Sequence, residues 1–285
     1  MLGASPILLI GETHGREAHQ NWQADLLLQL AIEGRYPAVV MEHLRPEMAA
    51  VLDEFRALNP ERAAGLAVAL EWWDTGWPAW SFYEPVFDRI WQLKLEVRAG
   101  DFDLAVMEDL AEQLAATPNT NDQSQTLINL PLWNEPRLLE SVLSPEAVAT
   151  SWRETIERSH CGFLEPERAP LLVARQMIRD ENMGQAVADT ALQSPDGVVL
   201  FAGSAHTRLS RGVAYHLLEL GFASDDILSV GLIEHETDDP WPPTDPTLLD
   251  YDLIVRTPHS GKRGACERLQ DLGLVPAADQ PTSSR

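Results

Sequence analysis

The stretch from Pro6 to Gly15 reads PILLIGETHG and decides the fold class. Its first half is a short, continuous apolar run, which is typical of a strand buried on both faces of a sheet. The run passes directly into a glycine, a glutamate and, two residues later, a histidine. A buried strand that ends in ionisable side chains is typical of an open α/β sheet, in which ligands bind outside the carboxyl ends of the strands.

Short apolar runs alternate with longer amphipathic segments along the rest of the chain, which is the pattern of an α/β protein. The predicted strands are Ile7–Ile10, Ala38–Met41, Leu95–Arg98, Val198–Ala202, Leu228–Leu232 and Asp252–Val255. The predicted helices are Ala18–Glu33, Pro46–Ala57, Glu84–Gln92, Pro145–Glu157, Glu167–Gln193 and Gly212–Glu219. Because the strands are continuously apolar, we expect a largely parallel central sheet flanked by helices on both faces.

The length of 285 residues suits one elaborated domain. We predict a single α/β domain over residues 1–260, in which residues 59–164 form a mostly helical insertion or cap subdomain. Residues 117–125 are polar and predict an exposed loop. Residues 261–285 form a C-terminal extension, and the composition of its end predicts disorder.

The net charge of −23 argues against two classes of partner. An acidic surface repels the phosphates of nucleic acids and anionic lipids, so we expect no nucleic-acid binding. No apolar run approaches the roughly 20 residues of a membrane-spanning helix, and the first ten residues lack the features of a signal peptide. As written, the sequence predicts a cytoplasmic protein, and a periplasmic or outer-membrane location is the alternative if a leader has been removed. Cys161 and Cys266 fit no metal-binding or redox spacing.

Ionisable residues follow four of the predicted strands. The carboxyl ends of parallel strands meet at one edge of a sheet, so these residues are expected to converge in one crevice. Glycines at positions 11 and 203 permit the tight turns that such a site needs. The residues concerned are Glu12, His14, Glu42, His43, Asp101 and His206.

Imidazole and carboxylate groups together suit a divalent transition metal such as zinc, iron or manganese, and Glu12, His14 and His206 are the predicted ligands. A metal with an open position can convert bound water into a nucleophile, which predicts a hydrolase. Without a metal, Glu12, His14, Glu42 and His206 could act in general acid–base catalysis. The plainer interpretation is that a carboxylate after a strand caps a helix or faces solvent.

Three further features have two interpretations each. His19 lies five positions after His14, so the two share a site only if a loop intervenes between them. The aromatic residues between positions 71 and 91 suit either a flat apolar ligand or a well-packed insertion. Arg175 and Arg179 share one helix face, and with Asp180 they either support the site or form an ion-pair network at its rim.

Five stretches, in this order, closely resemble the ChaN-like haem-binding family, whose superfamily also includes the Tiki metalloproteases and the erythromycin esterases. They are ILLIGETHGREAHQ at 7–20, VVMEHLRPEM at 39–48, SHCG at 159–162, ARQMIRDENMGQAV at 174–187 and VVLFAGSAHTRLSRGVAYHL at 198–217. The segments WWDTGWPAWSFYEPVF at 72–87 and DYDLIVRT at 250–257 extend the resemblance over most of the chain.

The resemblance implies a haem-binding protein linked to iron acquisition, in which a homodimer can hold two haems face to face. Candidate haem-binding residues are Tyr83, His19, His160 and Arg179, and Tyr83 is included because a phenolate can ligate haem iron. No lipid-accepting cysteine lies near Met1, so we expect membrane attachment only through an anchor outside this sequence.

The wider superfamily implies a different activity. It places a metal or Glu/His site at the GETH-type and GxxH-type turns, which here gives Glu12, His14, Glu42 and His206. A metal-dependent hydrolase acting on a small-molecule or peptide substrate, through an ester or peptide bond, is therefore the alternative to haem binding. Whether the protein is an enzyme stays open at this point.

Overall fold

The computed structural model describes residues 6–103, 105–106, 145–161, 163–164, 168–235, 250–261, 266 and 268–269. The strands of this part are β1 (Ile7–Glu12), β2 (Ala38–Met41), β3 (Val97–Ala99), β4 (Val198–Gly203), β5 (Ile227–His235) and β6 (Leu253–Pro258). They form one sheet in the order β3-β2-β4-β1-β5-β6, and every neighbouring pair is parallel. The predicted α/β class with a largely parallel sheet is confirmed.

Seven α-helices accompany this sheet in the described part of the chain. They are α1 (Glu17–Ile32), α2 (Ala49–Leu58), α3 (Leu66–Ala69), α4 (Trp80–Gln92), α5 (Pro145–Ser159), α6 (Ala169–Ala191) and α7 (Val213–Glu219). Short 3-10 turns lie at Pro46–Met48, Trp72–Asp74 and Ser224–Asp226. None of the helices in these described ranges has the length and hydropathy that crossing a bilayer requires.

The continuous apolar runs arise because each central strand is buried on both faces. Leu8 and Ile10 of β1 pack into a core formed with α1 and α4, whereas Ile7 and Leu9 pack into a second core formed with α6 and α7. Alternate residues of a strand point to opposite faces, so a strand covered on both sides has no position for a solvated side chain. The first polar residue of β1 is therefore its last, Glu12.

Several element boundaries differ from the prediction, among them the starts of α4 and β3. Helix α4 begins at Trp80, four residues before the predicted start, and it contains Pro85 in its interior. Strand β3 begins at Val97 rather than at Leu95, because the N–H of Leu95 bonds to the carbonyl of Ile90 and so closes the end of α4. The shift of β3 comes from a local hydrogen bond that an apolar pattern does not reveal.

The two cysteines form a disulfide that the sequence pattern did not predict. It joins Cys161, just after α5, to Cys266 in the C-terminal extension, across a separation of 105 residues. Within the predicted insertion at 59–164, strand β3 pairs with β2 and so belongs to the sheet. The predicted loop at 117–125 and the predicted disordered end of the extension lie outside the described residues.

Candidate functional site

The site lies at the edge of the sheet where the parallel strands end. Glu12 is the last residue of β1, Glu42 follows β2, and Gly203 ends β4, the strand between them. We call the set Glu12, His14, Glu42, His43, Asp101 and His206 the edge cluster, since the structure brings all six together. All are buried except His14, whose side chain is 32% exposed.

The carboxylate of Glu12 is surrounded by hydroxyl, amide and imidazole groups. Its Oε2 accepts a hydrogen bond from Nε2 of Gln23 at 2.7 Å, and its Oε1 accepts one from the Tyr83 hydroxyl at 3.2 Å. The same Oε1 lies 2.9 Å from Nδ1 of His14 and 3.3 Å from Nε2 of His43. Glu12 therefore holds the His14 ring by a hydrogen bond and lies within ion-pair distance of the His43 ring.

The carboxylate of Glu42 has a more highly charged environment. Its Oε2 accepts the backbone N–H of Gly203 at 2.6 Å and lies 3.8 Å from Nε2 of His14. Its Oε1 lies 3.3 Å from Nη1 of Arg179 and 3.4 Å from Nε2 of His206. In the described residues this oxygen therefore has two ion-pair contacts but no hydrogen bond.

Arg179 on α6 joins the ends of two strands. Its Nε and Nη2 donate to the two oxygens of Asp101 at 2.9 and 3.0 Å, while Nη1 faces Glu42. Such a bidentate pair fixes the plane of the guanidinium as well as its position. Arg175, one turn earlier on α6, is exposed. The two interpretations of Arg179 are thus compatible, since the ion-pair network is itself part of the site.

His206 is held by a second residue of α6. Its Nδ1 lies 2.6 Å from Oδ1 of Asp180, and Oδ2 of Asp180 accepts a hydrogen bond from Nε1 of Trp152 at 2.7 Å. Trp152 lies on α5, and its ring is 4.9 Å from that of His206. Helices α5 and α6 therefore position the imidazole that follows β4.

The predicted aromatic stretch packs against the histidines of the edge cluster. The ring of Trp77 lies 4.9 Å from that of His14 and 4.7 Å from that of His43. The ring of Tyr83 lies 4.4 Å from that of His43, and Trp72 stacks on the same imidazole at 6.4 Å. These aromatic residues both pack the core and enclose one side of the edge cluster.

Gly203 is required by close approach. A Cβ at this position would lie 2.9 Å from Nε2 of His14 and 3.4 Å from Oε2 of Glu42. The first distance is shorter than carbon and nitrogen atoms tolerate, so a side chain would displace the His14 ring. The absence of a side chain at Gly203 therefore leaves space for the ring of His14, which comes from the turn after β1.

Burial and charge shift the pKa values of the edge cluster in opposite directions. Burial alone would raise the pKa of Glu42, but His206, His14 and Arg179 outweigh it and lower that pKa to about 2. Burial would likewise raise the pKa of Glu12, but His43 and His14 hold it well below its usual value. Burial lowers the pKa of His14, whereas the hydrogen bond to Glu12 and the charge of Glu42 raise it to a net value above normal. Both carboxylates are thus ionised at neutral pH.

Two of the predicted cofactor-binding histidines lie outside the edge cluster. His19 is buried on α1, where its Nδ1 accepts the N–H of Thr13 at 2.9 Å and its Nε2 lies 2.9 Å from Oγ1 of Thr257. It therefore supports the turn that carries His14. His160 lies at the exposed end of α5, with Nδ1 2.7 Å from the carbonyl of Ile156.

One group of described residues has donor atoms close enough to share a metal ion. Donor atoms of Glu12, His14 and His43 lie within 4.8 Å of one another. Both ring nitrogens of His43 are buried without a hydrogen-bond partner in the described structure. The predicted metal ligands were Glu12, His14 and His206; the first two belong to this group, and Nε2 of His206 lies 3.4 Å from Oε1 of Glu42.

A comparison with protein families identifies the chain. Residues 1–217 match the family described as haem-binding uptake, Tiki superfamily, ChaN. The chain belongs to this ChaN family. The match contains every residue of the edge cluster, whereas β5 and β6, which complete the sheet, lie beyond it. No sequence among curated proteins matches the chain.

Solved structures resemble this ChaN-family chain to different degrees, and one of them shares its fold. The ChaN of Campylobacter jejuni, solved with cofacially bound haem, is 22% identical, with a TM-score of 0.63 over 89% of this chain and 88% of that one. A Bacillus cereus protein is 14% identical, with a TM-score of 0.45 over 82% and 67% of the two chains. A variant of the erythromycin esterase EreC is 17% identical, with a TM-score of 0.42 over 84% and 74%.

The sequence pattern missed two residues that reach the site of this ChaN-family chain from helices. Gln23 on α1 and Trp152 on α5 each donate a hydrogen bond to a carboxylate of the site. Neither lies next to a strand end, so the argument from strand ends could not include them. A buried polar position on an otherwise apolar helix face is the signal that could have found Gln23, since a buried amide needs a partner.

Proposed function

We propose that the chain binds haem at the edge cluster and acts in iron acquisition. The observation that carries this proposal is the match of residues 1–217 to a haem-binding uptake family. The fold shared with Campylobacter jejuni ChaN, whose structure is a cofacial haem complex, is consistent with it.

The donor set at the edge cluster fits haem. Haem iron is ligated by imidazole or phenolate groups, and a flat porphyrin packs well against aromatic rings. His14 is the partly exposed imidazole of the edge cluster, and Trp77 lies beside it. Nδ1 of His14 contacts Glu12, so Nε2, which lies 3.8 Å from Oε2 of Glu42, is the nitrogen that would bind iron, as is usual for a ligating histidine. Bound haem would supply the iron that the protein carries.

The other predicted haem-binding residues are less suited to contact the cofactor directly. The Tyr83 side chain is buried and its hydroxyl donates to Glu12, while burial and that carboxylate raise the pKa of the phenol. Ligation by Tyr83 would require the hydroxyl to leave Glu12 and lose its proton. Arg179 is engaged by Asp101 and Glu42. We therefore propose His14 as the iron ligand, with Tyr83 and Arg179 supporting the edge cluster around it.

Haem titration tests this assignment. We expect wild-type protein to shift the Soret band of added haem, and His14→Ala to abolish the shift. His160→Ala is the matched control, because it removes an exposed imidazole outside the edge cluster. Tyr83→Phe is expected to retain the shift. Loss of the shift in Tyr83→Phe together with its retention in His14→Ala would replace His14 by Tyr83 as ligand.

The same titration tests whether the protein forms a homodimer when it binds haem. If two chains hold two haems face to face, binding saturates at one haem per chain and the molar mass in solution doubles as haem is added. Light scattering during the titration measures this change. Saturation without any increase in molar mass would contradict the proposed dimer.

We also propose that the protein works outside the cytoplasm, in the periplasm or at the outer membrane. The Cys161–Cys266 disulfide supports this location, because disulfides persist in oxidising compartments and are rare in the cytosol. Labelling of cells with a thiol-reactive reagent before and after reduction tests it. Labelling of both cysteines without prior reduction would place the protein in a reducing compartment and favour the cytoplasm.

A metal-dependent hydrolase is the second candidate function. The observation that favours it is the convergence of Glu12, His14 and His43, where neither ring nitrogen of His43 has a hydrogen-bond partner among the described residues. A metal held there would activate water toward a peptide or ester bond. Metal analysis of the purified protein, with a panel of ester and peptide substrates, tests this alternative. Hydrolysis that survives Glu12→Gln and His43→Ala would exclude these residues from an essential role.

A further inference from the structure

The imidazole of His206 lies between two buried carboxylates, and the two contacts differ. Nδ1 lies 2.6 Å from Oδ1 of Asp180 and makes a hydrogen bond, whereas Nε2 lies 3.4 Å from Oε1 of Glu42. The second contact is not a hydrogen bond, since Oε1 of Glu42 has no such partner in the described residues. Nδ1 of His206 is thus held by a hydrogen bond, and Nε2 faces the carboxylate of Glu42.

Other groups fix the Asp180 carboxylate on the side away from His206. It is fully buried on α6, and its Oδ2 accepts the indole N–H of Trp152 at 2.7 Å. The guanidinium of Arg211 lies 4.4 Å above the Trp152 ring and donates to the carbonyl of Ser151 at 2.6 Å. Helices α5 and α6 and the loop before α7 therefore fix the plane of the Asp180 carboxylate.

The chemistry of these groups determines where the His206 proton lies. The indole nitrogen of Trp152 can only donate, so it occupies Oδ2 of Asp180 as an acceptor. A carboxylate also accepts at its other oxygen, so the hydrogen bond at Oδ1 requires the proton to lie on Nδ1 of His206. A buried aspartate fixes the tautomer of the histidine in serine proteases by the same contact.

We propose that Asp180 is a positioning residue that keeps a proton on Nδ1 of His206, so that Nε2 is the nitrogen presented to Glu42 and to an incoming ligand. Trp152 assists by fixing the other oxygen of Asp180. This inference does not rest on haem binding or on hydrolysis, because it concerns the ligand-free protein and its own protons.

Asp180→Asn tests the proposal with almost no change of shape. Trp152 still requires an acceptor, so the asparagine carbonyl must face the indole and its amide must face Nδ1 of His206. Nδ1 then has to accept, so it carries no proton, and the ring proton lies on Nε2. Trp152→Phe is the matched control, because it removes the indole donor and leaves the contact between Asp180 and His206 in place.

Long-range ¹H–¹⁵N spectra of histidine-labelled protein report which ring nitrogen carries a proton. The His206 signals are assigned by their absence in His206→Gln. We expect a proton on Nδ1 in the wild type and in Trp152→Phe, and an unprotonated Nδ1 in Asp180→Asn. A merely structural role for Asp180 would leave the proton in place in the asparagine variant.

Two results would overturn the proposal. One is an Nδ1 without a proton in the wild type, and the other is an Nδ1 that stays protonated in folded Asp180→Asn. If Asp180→Asn fails to fold, the wild-type spectrum still tests the assignment, because the first of these results remains measurable.

Discussion

The two buried glutamates of the edge cluster occupy equivalent positions but have different environments. Glu12 ends β1 and Glu42 follows β2, with β4 between them. Glu12 is surrounded by the hydroxyl of Tyr83, the amide of Gln23 and two imidazoles. Glu42 instead faces Arg179 and His206, each of which also contacts a second carboxylate.

The difference follows from the helices that cover each half of the site. Helices α1 and α4 supply Gln23 and Tyr83 to Glu12, together with the aromatic packing around its histidines. Helix α6 supplies Arg179 and Asp180 to the half around Glu42. A partner of Glu12 can therefore be removed singly, whereas removal of a partner of Glu42 leaves several buried charges without compensation.

The largest expected effect is that of Arg179→Met. This change leaves the buried carboxylates of Asp101 and Glu42 without their shared cation, and loss of one partner of a buried ion pair typically costs about 3–5 kcal/mol. Urea unfolding measures the free energy of unfolding. Arg175→Met is the matched control, because Arg175 is exposed on the same helix and should change stability by less than about 0.5 kcal/mol. Equal effects of the two changes would contradict the network around Glu42.

The next largest effect is expected in how the free energy of unfolding depends on pH, and the variant Glu42→Gln measures it. The pKa of Glu42 is about 2 in the folded protein, below its unfolded value, so its stabilisation is present above the unfolded pKa and is lost as pH falls toward 2. The shift corresponds to about 3 kcal/mol. We therefore expect the difference in unfolding free energy between wild type and Glu42→Gln to narrow as pH is lowered from 6 toward 3.

Glu33→Gln serves as the control for this measurement, because it removes one carboxylate from the exposed end of α1. Its difference from the wild type should stay small throughout the same range. A difference for Glu42→Gln that widens on acidification would show that the folded protein does not depend on the ionised form of Glu42.

The strands and the polar residues that follow them could be predicted because each is encoded locally. A buried strand such as β1 allows no polar residue before its end, so Glu12 is conspicuous in the sequence. The convergence of strand ends then follows from parallel pairing alone. The same reasoning placed Glu42 and His206, although it gave no information on which residue contacts which.

The contacts from the helices could not be predicted, because they depend on packing between distant segments. Trp152 and Asp180 are 28 residues apart, and their hydrogen bond depends on how α5 packs on α6. The disulfide between Cys161 and Cys266 likewise spans 105 residues and matches no short motif. Helix periodicity indicates which face of a helix is buried, but not which side chain that face meets.

A smaller effect is expected where the two halves of the edge cluster meet, at Gly203. In Gly203→Ala the added Cβ displaces His14 from between Glu12 and Glu42, at a cost of about 1–3 kcal/mol. His14→Ala removes the side chain that the Cβ would meet. In the double variant the cost of the alanine at 203 should therefore largely disappear, and urea unfolding of the four proteins measures this coupling. Additive effects would mean that the methyl group clashes with something other than the imidazole.

The smallest expected effect lies on the Glu12 side, in Tyr83→Phe. The hydroxyl donates to Oε1 of Glu12 over 3.2 Å, and the carboxylate keeps Gln23 and His14 when this donor is lost. A hydrogen bond to an ionised group contributes about 1.5–3 kcal/mol, and this one is long for an O–H donor, so the change should cost about 1.5 kcal/mol and less than Arg179→Met. Tyr36→Phe, at an exposed tyrosine, is the control and should leave the free energy of unfolding unchanged. A loss for Tyr83→Phe as large as that for Arg179→Met would show that Glu12, like Glu42, depends on every one of its partners.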